Sequence, residues 1–338
     1  MKVSVIVPLY NKAAHIQRCL DSIARQTFRD FEAIIIDDGS TDGSGELARS
    51  FGDGRFRMVS QSNAGPGAAR NRGALEARAE ILAFLDADDE WLPEYLENNL
   101  AALDSADPEV AAASCGYLES GVDLRELWES RGLRPGVFKT APSTSPALLI
   151  AAVAFMSPWN TVIRREVFVS LGGFYARKRA LFAEDAWLMV QILLRHPVLI
   201  RFEPPLVLFN RDASELSANL PGKRPIEPFL LEPEPLIGSC PQPMQPLLRQ
   251  FLAIRALKTA CVLGFWGDWR TARALRERFS AARDFRLPYF WRALFCSTPA
   301  APLLGACLRA LPREVAMTDT ALARRTLSAK TADSDVRR

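Results

Sequence analysis

Histidine is scarce in this chain, with only His15 and His196, and the six cysteines, Cys19, Cys115, Cys240, Cys261, Cys296 and Cys307, include no CxxC pair. A structural zinc site does not fit that supply. The scattered cysteines, mostly among apolar neighbours, read as reduced, buried thiols of a cytoplasmic protein. A strong excess of either charge is also missing, the net value being +3 over 338 residues. That balance argues against a nucleic-acid partner, which calls for a concentrated basic face. No clean run of about 20 apolar residues is present. The nearest candidate, 287–311, is broken by Pro288, Arg292, Pro299, Pro302 and Arg309, and suits a membrane surface better than a span. The opening apolar run stops at Pro8, too early for a secretory signal.

What the chain does have is core-forming material: 49% hydrophobic residues against 24% charged. That is enough for one large α/β domain with a smaller appendage. Val3–Val7 and Phe31–Ile36 are short, mainly β-branched or apolar runs, as strands buried on both faces are, and Phe56–Ser60 and Ile81–Leu85 read as a third and a fourth strand. Between and after them, 13–25, 41–51, 66–77 and 93–103 carry helical spacing. Four such alternations predict a doubly wound, mostly parallel sheet with flanking helices, whose ligands bind beyond the carboxyl ends of the strands. Further strands are expected within 111–117, 159–163 and 206–209, and a polar excursion over the active face at 121–146. Eight prolines between Pro221 and Pro246 predict an irregular linker. The expected organisation is therefore a catalytic domain over 1–220, a linker over 221–246, a helical region over 247–315 and a disordered tail over 316–338.

Polar clusters fall at the strand ends. Asp86 and Asp88, two apart in an extended segment, can face one ligand together, and hard ions such as Mn²⁺ or Mg²⁺ take such oxygens. The alternative is a solvated acidic loop capping the next helix. Asp37 and Asp38 can accept hydrogen bonds from a base or a ribose, or simply build an Asx turn. The run from Gln61 to Gly73 contains Asn63, Gly65, Arg70 and Asn71. Its small residues would let a phosphate approach a helix start, although its spacing matches neither a Walker loop nor GxGxxG. Glu184 and Asp185 open a later helix, where acids also complement the helix dipole.

Taken together, these stretches resemble the family 2 glycosyltransferases, from Val3 to about Ser217. The opening Val3 to Asn11, the acidic turn Phe31 to Thr41, the run Asn63 to Gly73 and Phe84-Leu85-Asp86-Ala87-Asp88-Asp89 occur in the family's order. The resemblance implies a GT-A fold and inverting transfer from a nucleoside-diphosphate sugar, most simply a UDP-sugar, to a glycan or lipid-linked acceptor. By position it makes Pro8, Tyr10 and Asn11 the nucleoside pocket, Asp38 with Asp37 the base contact, and Asp86 and Asp88 the DxD pair. Asp88 would bind Mn²⁺ or Mg²⁺, with Asp86 nearer the ribose and diphosphate. Gly172-Gly173-Phe174 and Glu184-Asp185 resemble the acceptor-side motif, with Asp185 the catalytic base. Many relatives place a histidine after the last strand, where this chain has Asp212 as the candidate third ligand.

Two rivals are a sugar nucleotidyltransferase, disfavoured by the absence of glycines after Pro8, and a catalytically silent sugar-nucleotide or glycan-binding protein. The C-terminal region has two readings. For 247–283 the favoured one is a helical lid or homodimer element, and for 287–311 it is contact with the inner face of the membrane.

Overall fold

The computed structural model describes residues 1–210, 225–279 and 290–301. Its strands are β1 (Val3–Leu9), β2 (Phe31–Asp37), β3 (Phe56–Ser60), β4 (Ile81–Phe84), β5 (Glu90–Trp91), β6 (Ala112–Ser114), β7 (Tyr117–Glu119), β8 (Val122–Asp123), β9 (Gly136–Phe138), β10 (Thr161–Arg164), β11 (Val198–Ile200) and β12 (Val207–Phe209). Its α-helices are α1 (Ile16–Ala24), α2 (Ser44–Arg49), α3 (Pro66–Glu76), α4 (Tyr95–Asp104), α5 (Arg125–Ser130), α6 (Pro146–Phe155), α7 (Arg165–Ser170), α8 (Glu184–Leu193), α9 (Pro228–Leu231), α10 (Pro233–Ser239), α11 (Gln245–Phe265), α12 (Trp269–Arg278) and α13 (Phe290–Cys296).

β1, β2 and β4 are buried almost throughout, as their unbroken apolar runs require. They form an eight-stranded sheet of order β3-β2-β1-β4-β10-β6-β11-β9. The first four strands run parallel, whereas β10 is antiparallel to both β4 and β6, so the sheet is mixed. The one polar residue facing inward on β1, Ser4, donates to Glu32 Oε1 at 2.8 Å and accepts the Ala79 amide at 3.1 Å. That exchange keeps a buried hydroxyl satisfied. The order reverses between β1 and β4, which places the crevice of an open α/β sheet beyond the carboxyl ends of those two strands.

A second sheet of four strands, β5-β12-β7-β8, was not anticipated. The apolar stretch 111–117 reads as one strand, but it splits at Gly116 into β6 of the large sheet and β7 of the small one. A Cβ at Gly116 would lie 1.9 Å from the Phe202 carbonyl oxygen, so the backbones meet there. The excursion 121–146 contains β8, α5 and β9, and β9 pairs with β11 at the edge of the large sheet. The proline-rich stretch also differs from an irregular linker. α9 and α10 each begin on a proline, which needs no amide partner in the first turn, and they bury Phe229, Leu230 and Leu236.

The chain divides into two compact units, the first taking 1–210 and 225–251 of the described residues and the second 252–279 and 290–301. The second is helical, with α12 and α13 in contact. Among the described residues no helix is long and apolar enough to cross a membrane.

α3 lies flat on β1 because Gly73 has no side chain: a Cβ there would sit 2.4 Å from Ile6 Cγ2 and 3.3 Å from Ile36 Cγ1. Gly73→Ala should therefore lower stability by a net ~1–2 kcal/mol in urea unfolding, overpacking outweighing the helix-propensity gain. An unchanged or higher midpoint would contradict this close approach.

Candidate functional site

The loops that follow β1, β2 and β4 meet at the reversal point of the large sheet. Asp37 and Asp38 end β2 and are buried. Asp37 Oδ1 accepts the Ser40 amide at 3.0 Å, which is the Asx turn the sequence suggests. Asp38 accepts Gln61 Nε2 and the Ala64 amide on one oxygen and the Gly65 amide on the other, each at 2.8 Å. The anion at the start of α3 is thus Asp38 itself. The phosphate that the sequence suggests at Gly65 would find that amide already committed. Gly67 likewise serves a protein contact, since a Cβ there would come 2.3 Å from the Tyr175 carbonyl oxygen. At the end of β1, Pro8 is half-buried, Tyr10 is 47% exposed and Asn11 is pinned to the β2 turn, its Oδ1 accepting the Thr41 amide at 2.8 Å.

α3 projects Arg70 inward, where its side chain is 6% exposed. One guanidinium nitrogen bonds Asp86 Oδ1 at 2.6 Å and another bonds Glu184 Oε1 at 2.8 Å. Burial opposes a charged arginine, but Asp86 and Glu184 outweigh it and hold the guanidinium more firmly protonated than usual. Its neighbour Asn71 does not turn to the crevice. It donates to the Phe174 carbonyl at 2.8 Å and accepts the Phe174 amide at 2.9 Å, clamping the turn Gly172-Gly173-Phe174. Gly173, at φ 73°, leaves room for the Asn71 oxygen, which a Cβ would meet at 2.4 Å. Asn63 Oδ1 accepts from Arg179 at 2.7 Å. The run 61–73 therefore joins the β2 turn to the segment 173–184.

β4 delivers Asp86, Asp88 and Asp89 to the crevice just before β5. Asp88 and Asp89 are buried and Asp86 is half-buried. Burial and the charge of Asp86 raise the Asp88 carboxyl, opposed by Lys12, whose Nζ lies 3.0 Å from Asp88 Oδ2. Burial, then Asp88 and Asp86, push Asp89 up well above the usual carboxylate range, opposed by the Asn210 amide, which donates to Asp89 Oδ1 at 2.9 Å. The Asn210 side chain also bonds the Asp88 carbonyl at 3.0 Å, and Arg18 pairs with Glu90 at 2.8 Å. Lys12, Arg18 and Asn210 were missed as site residues. Lys12 directly follows the β1 motif, and a cation at a strand end opposite three acids was the available signal. Asn210 becomes visible only once β12 is known to pair with β5.

A hard divalent ion suits these carboxylate oxygens. Each carboxylate has one oxygen engaged, Asp86 Oδ1 by Arg70, Asp89 Oδ1 by the Asn210 amide and Asp88 Oδ2 by Lys12. Of these partners only Lys12 is an ammonium on a flexible stem, so Asp88 is the carboxylate an ion could free most readily, with Asp86 beside it. Asp212 lies outside the described residues. Among the described residues no group of three or more His, Cys, Asp and Glu is arranged to hold a metal, so the two aspartates would need oxygens from a bound diphosphate or water.

Glu184 and Asp185 open α8 after Ala183, which adopts the left-handed conformation at φ 56°. That reversal sends Glu184 into the protein to Arg70 and leaves Asp185 half-buried, its Oδ1 accepting the Ala186 amide at 2.8 Å. Burial and then Asp185 push the Glu184 carboxyl up to about 7 against the pull of Arg70. Asp185 is also raised by burial, which Arg70 opposes. One buried guanidinium therefore ties the acidic turn after β4 to the acidic start of α8.

Comparison with known proteins gives this arrangement a context. Residues 4–172 match the family described as "Glycosyl transferase family 2". The chain is 36% identical over 172 residues to the uncharacterized glycosyltransferase YibD of Escherichia coli (strain K12), covering 50% of each chain. It is 41% identical over 120 residues to validoxylamine A glucosyltransferase of Streptomyces hygroscopicus subsp. jinggangensis, covering 34% of this chain and 28% of that one. The chain spans about half the length of the first curated relatives it matches. Among solved structures it resembles TarS 1-349 of S. aureus, with TM-score 0.56 and 19% identity, covering 88% of this chain and 89% of that one. It also resembles the mannosyltransferase PcManGT of Pyrobaculum calidifontis, solved with GDP-Man and Mn²⁺, with TM-score 0.54 and 21% identity, covering 91% and 86%. At such identities the likeness is one of fold, the GT-A arrangement.

The raised Glu184 carboxyl has a thermodynamic signature. Between its ordinary value of 4.5 and about 7, the folded chain keeps a proton that the unfolded chain has lost, so this group makes stability fall as pH rises through that window and adds no slope above it. Glu184→Gln removes the slope. The stability of the wild type relative to this variant should decline from pH 5 to pH 7 in urea unfolding and then level off. A difference independent of pH would contradict the buried, proton-retaining state.

Proposed function

The chain belongs to glycosyl transferase family 2, and on that premise we propose that it is an inverting transferase. It moves a sugar from a nucleoside-diphosphate sugar, most simply a UDP-sugar, to a hydroxyl of a glycan or lipid-linked acceptor in cell-surface polysaccharide synthesis. The observation that carries this reading is Arg70, which fixes Asp86 on the donor side and Glu184 on the acceptor side of one crevice. Structures of TarS with UDP and UDP-GlcNAc, and of PcManGT with GDP-Man, support a nucleotide-sugar ligand for this fold.

In this reading Asp37 and Asp38 form the wall for the base, with Pro8, Tyr10 and Asn11 beside them. Asp38 also sets the shape of the 61–65 loop. Asp185 removes the proton of the acceptor hydroxyl as that oxygen attacks the anomeric carbon and the nucleoside diphosphate leaves from the opposite face. Its half-buried position raises its basicity for that task. Glu184, next to Asp185 at the start of α8, is held by Arg70 and supports the base from there. Asp88, with Asp86 and Asp212, would hold Mn²⁺ or Mg²⁺, which when bound neutralises charge on the departing diphosphate. PcManGT, which shares the fold, was solved with Mn²⁺.

The site of action in this reading is the cytoplasm, at the inner membrane face where lipid-linked acceptors are presented. The exposed side chains of Trp291, Leu294 and Phe295 on α13 support surface contact there.

A paired experiment tests the assignment of roles. With a UDP-sugar, Asp185→Asn should keep nucleotide affinity while UDP release with acceptor falls by about a hundred- to ten-thousandfold. Asp88→Ala should instead lose the Mn²⁺-dependent part of UDP binding in calorimetry. Wild-type turnover in the first variant removes Asp185 from the mechanism, and unchanged Mn²⁺-dependent binding in the second removes Asp88 from the metal site.

A further inference from the structure

The crevice between β1 and β4 contains a cation that the proposed chemistry leaves without a role. Its position is built by the turn at Asn11. That residue sits in the left-handed region at φ 50°, which asparagine tolerates better than most side chains. The turn is held from the β2 side: the Asn11 amide donates to Ser40 Oγ at 3.2 Å, and the Ala13 amide donates to Asp42 Oδ2 at 2.8 Å. Between these anchors the Lys12 carbonyl accepts the His15 and Ile16 amides, each at 2.9 Å, as α1 begins. Lys12 is thus fixed at its backbone from both sides, and its side chain crosses the reversal point of the sheet to Asp88, at 3.0 Å. The two side chains are only 16% and 12% exposed, so the pair is largely withdrawn from water.

The acidic turn supplies the second half of the inference. Asp86 has Arg70 and Asp89 has the Asn210 amide, both from buried or backbone groups that cannot leave. Asp88 is instead paired with an ammonium on a flexible four-carbon stem, a compact point charge that can exchange one anion for another. Asp88 is also the carboxylate proposed above to ligate a divalent ion.

We propose that Lys12 is a positioning and donor-binding residue: its ammonium holds Asp88 when no ion is bound, and turns to the donor's diphosphate when that carboxylate ligates a divalent ion. The inference rests on Asp88 being a metal ligand. It makes ion and lysine competitors for one carboxylate, and ion and diphosphate partners through the lysine so released. Coupling of this kind is reciprocal, so binding of Mn²⁺ and of nucleotide must strengthen one another in the wild type.

The test compares wild type, Lys12→Met, Lys12→Arg and Asp88→Ala, each shown folded by circular dichroism, in calorimetric titrations with Mn²⁺ alone and with UDP at saturating Mn²⁺. Lys12→Met should bind Mn²⁺ alone roughly tenfold more tightly and UDP roughly tenfold more weakly, opposite directions that loss of a merely structural ion pair does not produce. Lys12→Arg, which keeps the charge, should recover most of the UDP affinity. If Lys12→Met leaves both affinities unchanged, or weakens both, the proposal is overturned. In that case loss of Mn²⁺ binding in Asp88→Ala leaves the metal assignment standing. Absence of Mn²⁺ binding in the wild type, with or without UDP, overturns both.

Discussion

The bonds from Arg70 to Asp86 and Glu184 hold two parts of this molecule, remote in sequence, in register. Its guanidinium is buried, as is the Glu184 side chain, and Asp86 is only partly open. A charge so placed is tolerated only with close, well-oriented partners, and removal of one partner from such a set typically costs about 3–5 kcal/mol. Arginine suits the task because its planar fork donates in two directions at once. The spacing between the turn after β4 and the start of α8 is therefore set by one rigid side chain on α3.

Other contacts reinforce that link. Asn71, next in sequence, clamps both backbone groups of Phe174. Gly67 lets α3 approach the Tyr175 carbonyl, and the Tyr175 amide bonds the Glu184 carbonyl at 3.2 Å. Phe174 packs against Phe84 at the end of β4, ring centroids 5.1 Å apart. The stretch Asn63 to Gly73 thus acts as a bracket: its first residues take their shape from Asp38, and its helical part holds the 173–184 segment. Donor and acceptor chemistry in the proposed reaction would share this bracket, with Lys12 adjusting the charge of the donor half.

Much of the fold could be read from local pattern. β1, β2 and β4 are buried on both faces, so they leave unbroken apolar runs, and the acids that end β2 and β4 interrupt those runs abruptly. The small sheet could not be read this way. β5 and β8 are two residues long and β7 and β12 three, too short for any alternation to show, and their pairing is long-range. The proline-rich stretch misled because proline excludes only helix interiors, while α9 and α10 use it at their starts. At the site, residue type singled out Arg70, Asn71 and Gly65. It could not distinguish a side chain facing a ligand from one facing another part of the chain. Asp38, Gly65 and Asn71 all satisfy protein groups, a distinction that depends on the distance between loops remote in sequence. Lys12 and Asn210 were hidden for the same reason.

The measurement closest to the central claim is the behaviour of Arg70→Lys, a variant that keeps one positive charge but loses the fork. If a single guanidinium holds both halves of the crevice, this variant should fold, by circular dichroism, yet lose UDP affinity in the presence of Mn²⁺ and sugar transfer together, each by about tenfold or more. A folded variant whose nucleotide affinity and transfer rate both stay within about twofold of the wild type would contradict it.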